Sequence, residues 1–174
     1  MSATRLVAID DAPAITALLI ENREFMAPWE PCRDDAFFTV EAQRKLIAAT
    51  LERKAQGLIL PHVILDETRV VGRINLNNIV RGAFQSASLG YWVSAKENGR
   101  GLATAAVSSM KRVAFGQLDL HRLEAGTLLH NTASQRVLQR NGFERFGLAP
   151  RYVKIAGQWQ DHILFQVLNE NAES

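Results

Sequence analysis

The stretch "YWVSAKENGRGLATAAV", residues 91–107, decides how the chain is read. A short apolar run ends in a polar turn, two glycines flank an arginine, and small residues follow at helical spacing. The pattern predicts a strand, a turn and a helix start. Gly99 and Gly101 let the backbone approach a ligand closely, and free N–H groups at a helix N-terminus suit an anion. Arg100 adds a guanidinium able to grip phosphate oxygens as a fork. The plain alternative is a helix with a glycine-rich lead-in and no ligand.

Upstream of this turn, "LILPHVILD" (58–66), "VVGRINLNNIV" (70–80) and "SASLGYWVS" (86–94) read as three strands of an antiparallel meander. The second alternates apolar and polar residues, as a half-buried strand does. Further upstream, "TRLVAI" is a short apolar run and "DDAPAITALLIENREF" (10–25) reads as one helix. Asp10 or Asp11 caps it, Pro13 sits in its first turn, and Ile15, Leu18 and Leu19 face the core. "MAPWEPCRDD" (26–35) is a loop, after which Thr39 caps a helix to about Gln56 that Gly57 stops.

Downstream, the helix opened by the turn runs to about Gln117 on Leu102, Ala106, Met110 and Val113. "HRLEAGTLL" (121–129) is a strand, and "NTASQRVLQRNGF" (131–143) holds a short helix ended by Gly142. "RYVKIAGQWQDHILFQVL" (151–168) is a hairpin turned at Ala156-Gly157, and residues 169–174 are expected to fray. The order β-α-α-β-β-β-α-β-α-β-β implies one domain over residues 1–174 of α/β (α+β) class. Its sheet is mixed, mostly antiparallel, with helices on both faces.

Composition narrows the function. Of 174 residues, 47% are hydrophobic and 22% charged, which are globular values. A net charge of +2 does not suit a nucleic-acid partner held by a strong basic field. The single cysteine, Cys32, excludes an internal disulfide framework and a multi-cysteine zinc site. His62, His121, His130 and His162 are scattered with no His-Glu-x-x-His helix, so no catalytic metal is expected. The N-terminus lacks a signal-peptide core and no 18-residue apolar span occurs, which points to a cytoplasmic protein without a membrane segment.

Two phosphate-binding motifs come near the turn and fail. "GRGLAT" (99–104) lacks the third glycine of the dinucleotide fingerprint and follows a meander rather than opening a β-α-β unit. Glu124 stands twenty residues beyond Thr104, but early in its strand, where a ribose-binding acid does not belong. No Gly-Lys-Ser or Gly-Lys-Thr occurs, so there is no P-loop.

Three segments together resemble the GNAT superfamily of N-acetyltransferases, in its RimJ/RimL-like branch. "NGRGLA", Asn98–Ala103, is similar to the family's Gln/Arg-x-x-Gly-x-Gly/Ala turn, with Asn98 in place of the usual first residue. "HNTASQRVLQRNGF" resembles Asn-x-x-Ser-x-x-x-Leu-x-x-x-Gly-Phe, and "GQWQDHILFQVL" resembles the branch's Gly-x-Trp-x-Asp closing strand. "NREFMAPWEP" is similar to its Asn…Leu…Trp-x-Pro loop.

The resemblance implies splayed central strands, about seven strands in all, and acetyl-CoA as co-substrate without a metal. It assigns the cofactor to Val93, Ser94, Asn98, Gly99, Arg100, Gly101, Leu102, Ala103, Thr104, Asn131 and Ser134. It implies direct attack by the amine, with Ser134 as acid to the leaving thiolate and a backbone N–H of Trp92 or Val93 for the oxyanion. Cys32 reads as a passive residue.

The general base has no motif; His130, Glu30 and Asp34 are candidates by proximity, and Tyr152-Val153 stands where some relatives carry an acid. An α-amine, with a pKa near 7.7–8.0 against about 10.4 for lysine, is the easier acceptor without a strong base. The expected activity is acetylation of a protein or peptide N-terminus, such as a ribosomal protein's, by a monomer or homodimer. A small-amine acetyltransferase and a non-catalytic acetyl-CoA sensor stay open.

Overall fold

The computed structural model describes residues 3–170. Seven strands, β1 (Thr4–Leu6), β2 (Leu60–Asp66), β3 (Arg69–Val80), β4 (Ser86–Val93), β5 (Arg122–Leu128), β6 (Glu144–Ile155) and β7 (Gln158–Leu168), form one sheet. Their order is β1-β2-β3-β4-β5-β7-β6, antiparallel throughout except for the parallel pair β4–β5. Alternation sorts each strand. On β3, Ile74 and Leu76 are fully buried, while Arg73, Asn75 and Asn77 turn to the opposite face.

The helices cover both faces. α1 (Ala12–Glu21), the short α2 (Arg23–Met26) and α3 (Val40–Ala55) lie on one side, where Ile15, Leu19 and Ile47 pack with Val7 and Val63. α4 (Leu102–Arg112) and α5 (Thr132–Arg140) lie on the other, where Ala106, Val107, Met110 and Leu138 join the larger core. Thr39 caps α3, its hydroxyl accepting from Ala42 N–H at 3.2 Å, a contact worth about 1 kcal/mol. α4 passes into a π-turn over Val113–Gln117, which completes the expected helical span. No described helix is long and apolar enough to cross a membrane.

Four local expectations are corrected. The helix expected over residues 10–25 breaks at Asn22, because its buried side chain turns toward β4. Asp11 precedes α1 but does not cap it: its carboxylate grips the Arg5 guanidinium at 2.7 and 2.8 Å and accepts from Ala8 N–H. β6 starts at Glu144, and a register shift between Ala149 and Val153, with Arg151 at φ 49°, accommodates Pro150. Asn169 is anchored rather than frayed, donating from its backbone to His121 O at 2.8 Å and from Nδ2 to Leu120 O at 3.2 Å. Residues 171–174 lie outside the described part.

The feature that positions the site is the parting of β4 from β5. They pair only over Ser86–Ser88 and Arg122–Glu124. Beyond that, β4 stays with β3 as far as Val93 while β5 stays with β7 as far as Leu128, so a wedge opens between them.

Candidate active site

The wedge widens into a cleft of about 1260 Å³ that runs from the start of α4, between the parted strands, to the loop of residues 27–34. Its floor is backbone at the turn. Gly99 and Gly101 hold φ of 79° and 78°, a region that other residues rarely enter, and a Cβ at either would meet open space. The amides of residues 99–104 have no hydrogen-bond acceptor among the described residues; the first helical bond is Ala105 N–H to Gly101 O at 2.9 Å. A row of unmatched N–H groups at a helix N-terminus is an anion cradle.

Asn98, Gly99, Gly101, Leu102, Ala103 and Thr104 all line the cleft. Arg100 does not. Its guanidinium is paired with Asp66 at 2.8 Å and with Glu97, and Arg69 joins the same two acids at 3.0 and 2.6 Å. These partners hold Glu97 and Asp66 below the usual carboxylate range, Arg69 dominating for Glu97 and Arg100 for Asp66. Arg100 therefore clamps the turn to the β2–β3 corner instead of reaching into the cradle.

Ser94 is likewise a support rather than a lining residue. Its N–H donates to Val71 O at 2.9 Å, and its buried hydroxyl lies 3.1 Å from Asn22 Nδ2. Asn22 Oδ1 accepts from Ala95 N–H at 2.8 Å, so this helix-breaking asparagine fixes where β4 ends and the turn begins.

The β3–β4 register runs unshifted from Gly72↔Val93 to Asn77↔Ser88. With Ser94 N–H on Val71, alternation directs the Trp92 amide toward β3 and the Val93 and Tyr91 amides toward the wedge. Of the two amides expected to face an oxyanion, only that of Val93 is directed toward the wedge. The Trp92 side chain packs under α1 and α3.

Asn131 precedes α5 and caps it, its Oδ1 accepting from Ser134 N–H at 3.1 Å. Ser134 Oγ lies 2.8 Å from the phenol oxygen of Tyr91, whose O–H also reaches Ser134 O at 3.2 Å. Burial pushes Tyr91 up to about 12, with Ser134 pulling the other way, so the phenol stays protonated. Either hydroxyl can donate across the 2.8 Å contact; where the phenol does, the serine proton is available to a third atom in the cleft. Sequence reading named the neighbouring Trp92 and Val93 backbone and missed this side chain; the signal was its sharing a strand face with Leu89, which turns it toward α5.

On the opposite side, Glu30 lines the cleft. Burial raises its carboxyl above the ordinary range, with Arg33 and Arg73 opposing. Its carbonyl accepts from Ala156 N–H at 2.9 Å, which ties the loop to the β6–β7 hairpin. Asp34 is exposed and accepts from Phe37 N–H, so it is a turn cap. His130 stacks on Trp29 with ring centroids 5.2 Å apart at the mouth. Tyr152 packs on His162 at 5.6 Å, while Val153 lines the cleft. Cys32 is exposed and lies beside Gly157 at the hairpin tip. Among the described residues no three His, Cys, Asp or Glu side chains converge on a metal position.

This architecture recurs in known proteins. A model of the acetyltransferase (GNAT) domain matches residues 4–144. The chain is 38% identical over 171 residues to the probable N-acetyltransferase YjcK of Bacillus subtilis, covering 97% of this chain and 94% of that one. It is 35% identical to the [ribosomal protein uS5]-alanine N-acetyltransferase of Escherichia coli, covering 92% of this chain and 84% of that one. The structure of Mycobacterium smegmatis RimJ in complex with CoA-disulfide superposes with a TM-score of 0.94 at 32% identity, covering 98% of this chain and 83% of that one. The parted sheet, the glycine turn and these likenesses agree: the chain belongs to the GNAT family, in its RimJ/RimL-like branch, and is an acetyltransferase.

Proposed function

We propose that this acetyltransferase moves the acetyl group of acetyl-CoA to the N-terminal α-amine of a protein or peptide in the cytoplasm, a ribosomal protein being the favoured acceptor. The observation that carries the reading is the wedge between β4 and β5, with unmatched amides 99–104 at one end and the Tyr91–Ser134 pair inside. The E. coli relative named for ribosomal protein uS5 and the M. smegmatis relative with its CoA-disulfide support the two substrates.

Acetyl-CoA supplies an acyl carbon already activated by a thiol leaving group. The amides of residues 99–104 hold its pyrophosphate. The Val93 N–H donates to the carbonyl oxygen as negative charge develops there. The amine nitrogen bonds to the acyl carbon and the carbon–sulfur bond breaks. Ser134 gives its proton to the departing thiolate as the Tyr91 O–H reprotonates the serine oxygen. A thiol pKa of about 8.5 asks little of this acid. Glu30, whose carboxyl titrates above its ordinary range, takes the amine proton. Solvent then restores the tyrosine and takes the amine proton on from Glu30.

A free-thiol assay with acetyl-CoA over α-amino peptides, lysine side chains and small amines tests this. Peptides with a free N-terminus should release thiol fastest, and Ser134→Ala should lower kcat roughly tenfold at unchanged acetyl-CoA affinity. Acetyl-CoA binding without thiol release from any amine would contradict the reading and leave a sensor.

A further inference from the structure

Arg73 and Asn75 share the face of β3 that looks across the cleft toward the loop of residues 27–34. Arg73 Nε is buried without a hydrogen-bond partner, and among the described residues its guanidinium forms neither a hydrogen bond nor an ion pair. Asp11, whose charge reaches it, is already held by Arg5 and by Ala8 N–H. Asn75 Oδ1, the next residue on the same face, is also buried with no donor.

Buried polar atoms are almost always matched, so a donor and an acceptor left open side by side in a cleft call for a ligand that matches both. Same-face neighbours on a strand stand about 7 Å apart, a span that a single trans peptide unit bridges when its C=O points to one side chain and its N–H, directed oppositely, to the other.

The position suits an acceptor. Arg73 pairs in register with Trp92, one residue from the Val93 amide that faces the wedge. In an α-amino acyl group the amine and the carbonyl carbon flank a single Cα, so holding the carbonyl on Arg73 leaves the amine beside the wedge. Charge decides which carbonyl. Asp11 and, more weakly, Glu30 lie within electrostatic reach of Arg73, and of the two Glu30 lines the cleft. A neutral peptide carbonyl therefore fits, whereas a free carboxylate would crowd a second anion against Glu30.

We propose that Arg73 and Asn75 form the subsite for the acceptor backbone, Arg73 donating to the first carbonyl oxygen and Asn75 Oδ1 accepting from the following N–H. This rests on the α-amine reading above and specifies it: the enzyme recognises an amine followed by a peptide carbonyl, not an amine alone.

Calorimetric binding to the protein saturated with coenzyme A tests the subsite without turnover. An alanyl peptide amide should bind at least ~10-fold more tightly than an alkylamine of equal length. Arg73→Met should abolish that preference and Arg73→Lys should restore part of it, with coenzyme A affinity unchanged in both. Asn75→Ala should reduce the preference by a smaller factor.

Equal binding of peptide and alkylamine by the wild-type protein would overturn the proposal, and that comparison needs no variant to fold. So would a preference that survives Arg73→Met, or tighter binding of a free amino acid than of its amide. If the peptide binds through Arg73 and yet no amine is acetylated, the subsite stands and the acetyl-transfer reading falls.

Discussion

The two walls of the cleft are built from different material. On the α4 side a ligand meets backbone: the amides of residues 99–104, held open by Gly99 and Gly101, with the Val93 N–H beyond. On the β3 side it meets side chains from distant segments, Glu30 from the loop and Arg73 and Asn75 from the strand. On the proposed reading, the backbone donors recognise what every reaction of this class shares, a phosphate and a thioester, and the side chains recognise what differs, the acceptor. The division predicts that changes on one wall alter one substrate and leave the other alone.

The largest effect should come from Gly101→Val. A β-branched residue at φ 78° is strained, and its bulk enters the cradle. Together with lost hydrogen bonds to phosphate, the loss is roughly 3 kcal/mol, or about 100-fold in acetyl-CoA affinity. Peptide binding should change little; a parallel loss there would break the comparison.

Glu30→Gln should act on the other wall, lowering kcat roughly 10- to 100-fold with acetyl-CoA affinity unchanged. The sign with pH follows from burial. Because the folded carboxyl titrates above the ordinary glutamate value, the base is lost as pH falls through that raised pKa. The wild-type kcat profile should therefore carry an acid limb above the usual carboxylate range, and the variant should lack it. An identical limb in the variant would assign it to another group.

The smallest effect belongs to Arg100→Ala. Its charge is already occupied by Asp66 and by the buried Glu97, so acetyl-CoA affinity should fall by less than ~3-fold. A loss above about tenfold would mean that the side chain leaves its acids for the pyrophosphate.

The same contrast explains what was legible in the sequence. Gly99 and Gly101 disclosed the turn because its positive-φ backbone needs glycine at fixed spacing, whereas Asn131 and Ser134 were named only through the family resemblance. The ion pairs of Arg100 were not legible because one of its acids, Asp66, comes from the end of β2, which only folding brings near. Arg73, Asn75 and Asn77 were hidden in plain alternation: a polar strand face ordinarily meets water. Only Asn22, which bends the chain after α1, and the bond from Ala156 to the Glu30 carbonyl turn that face into a wall. Tyr91 was passed over because its role depends on α5 crossing above it.

Amide hydrogen exchange with and without acetyl-CoA tests the central claim most directly. The amides of residues 99–104 and of Val93 should become protected on binding, while those of β3 around Arg73 and Asn75 stay unchanged until a peptide acceptor is added. Protection confined to other segments, with residues 99–104 exchanging as in the free protein, would contradict a cofactor held by the backbone of this turn.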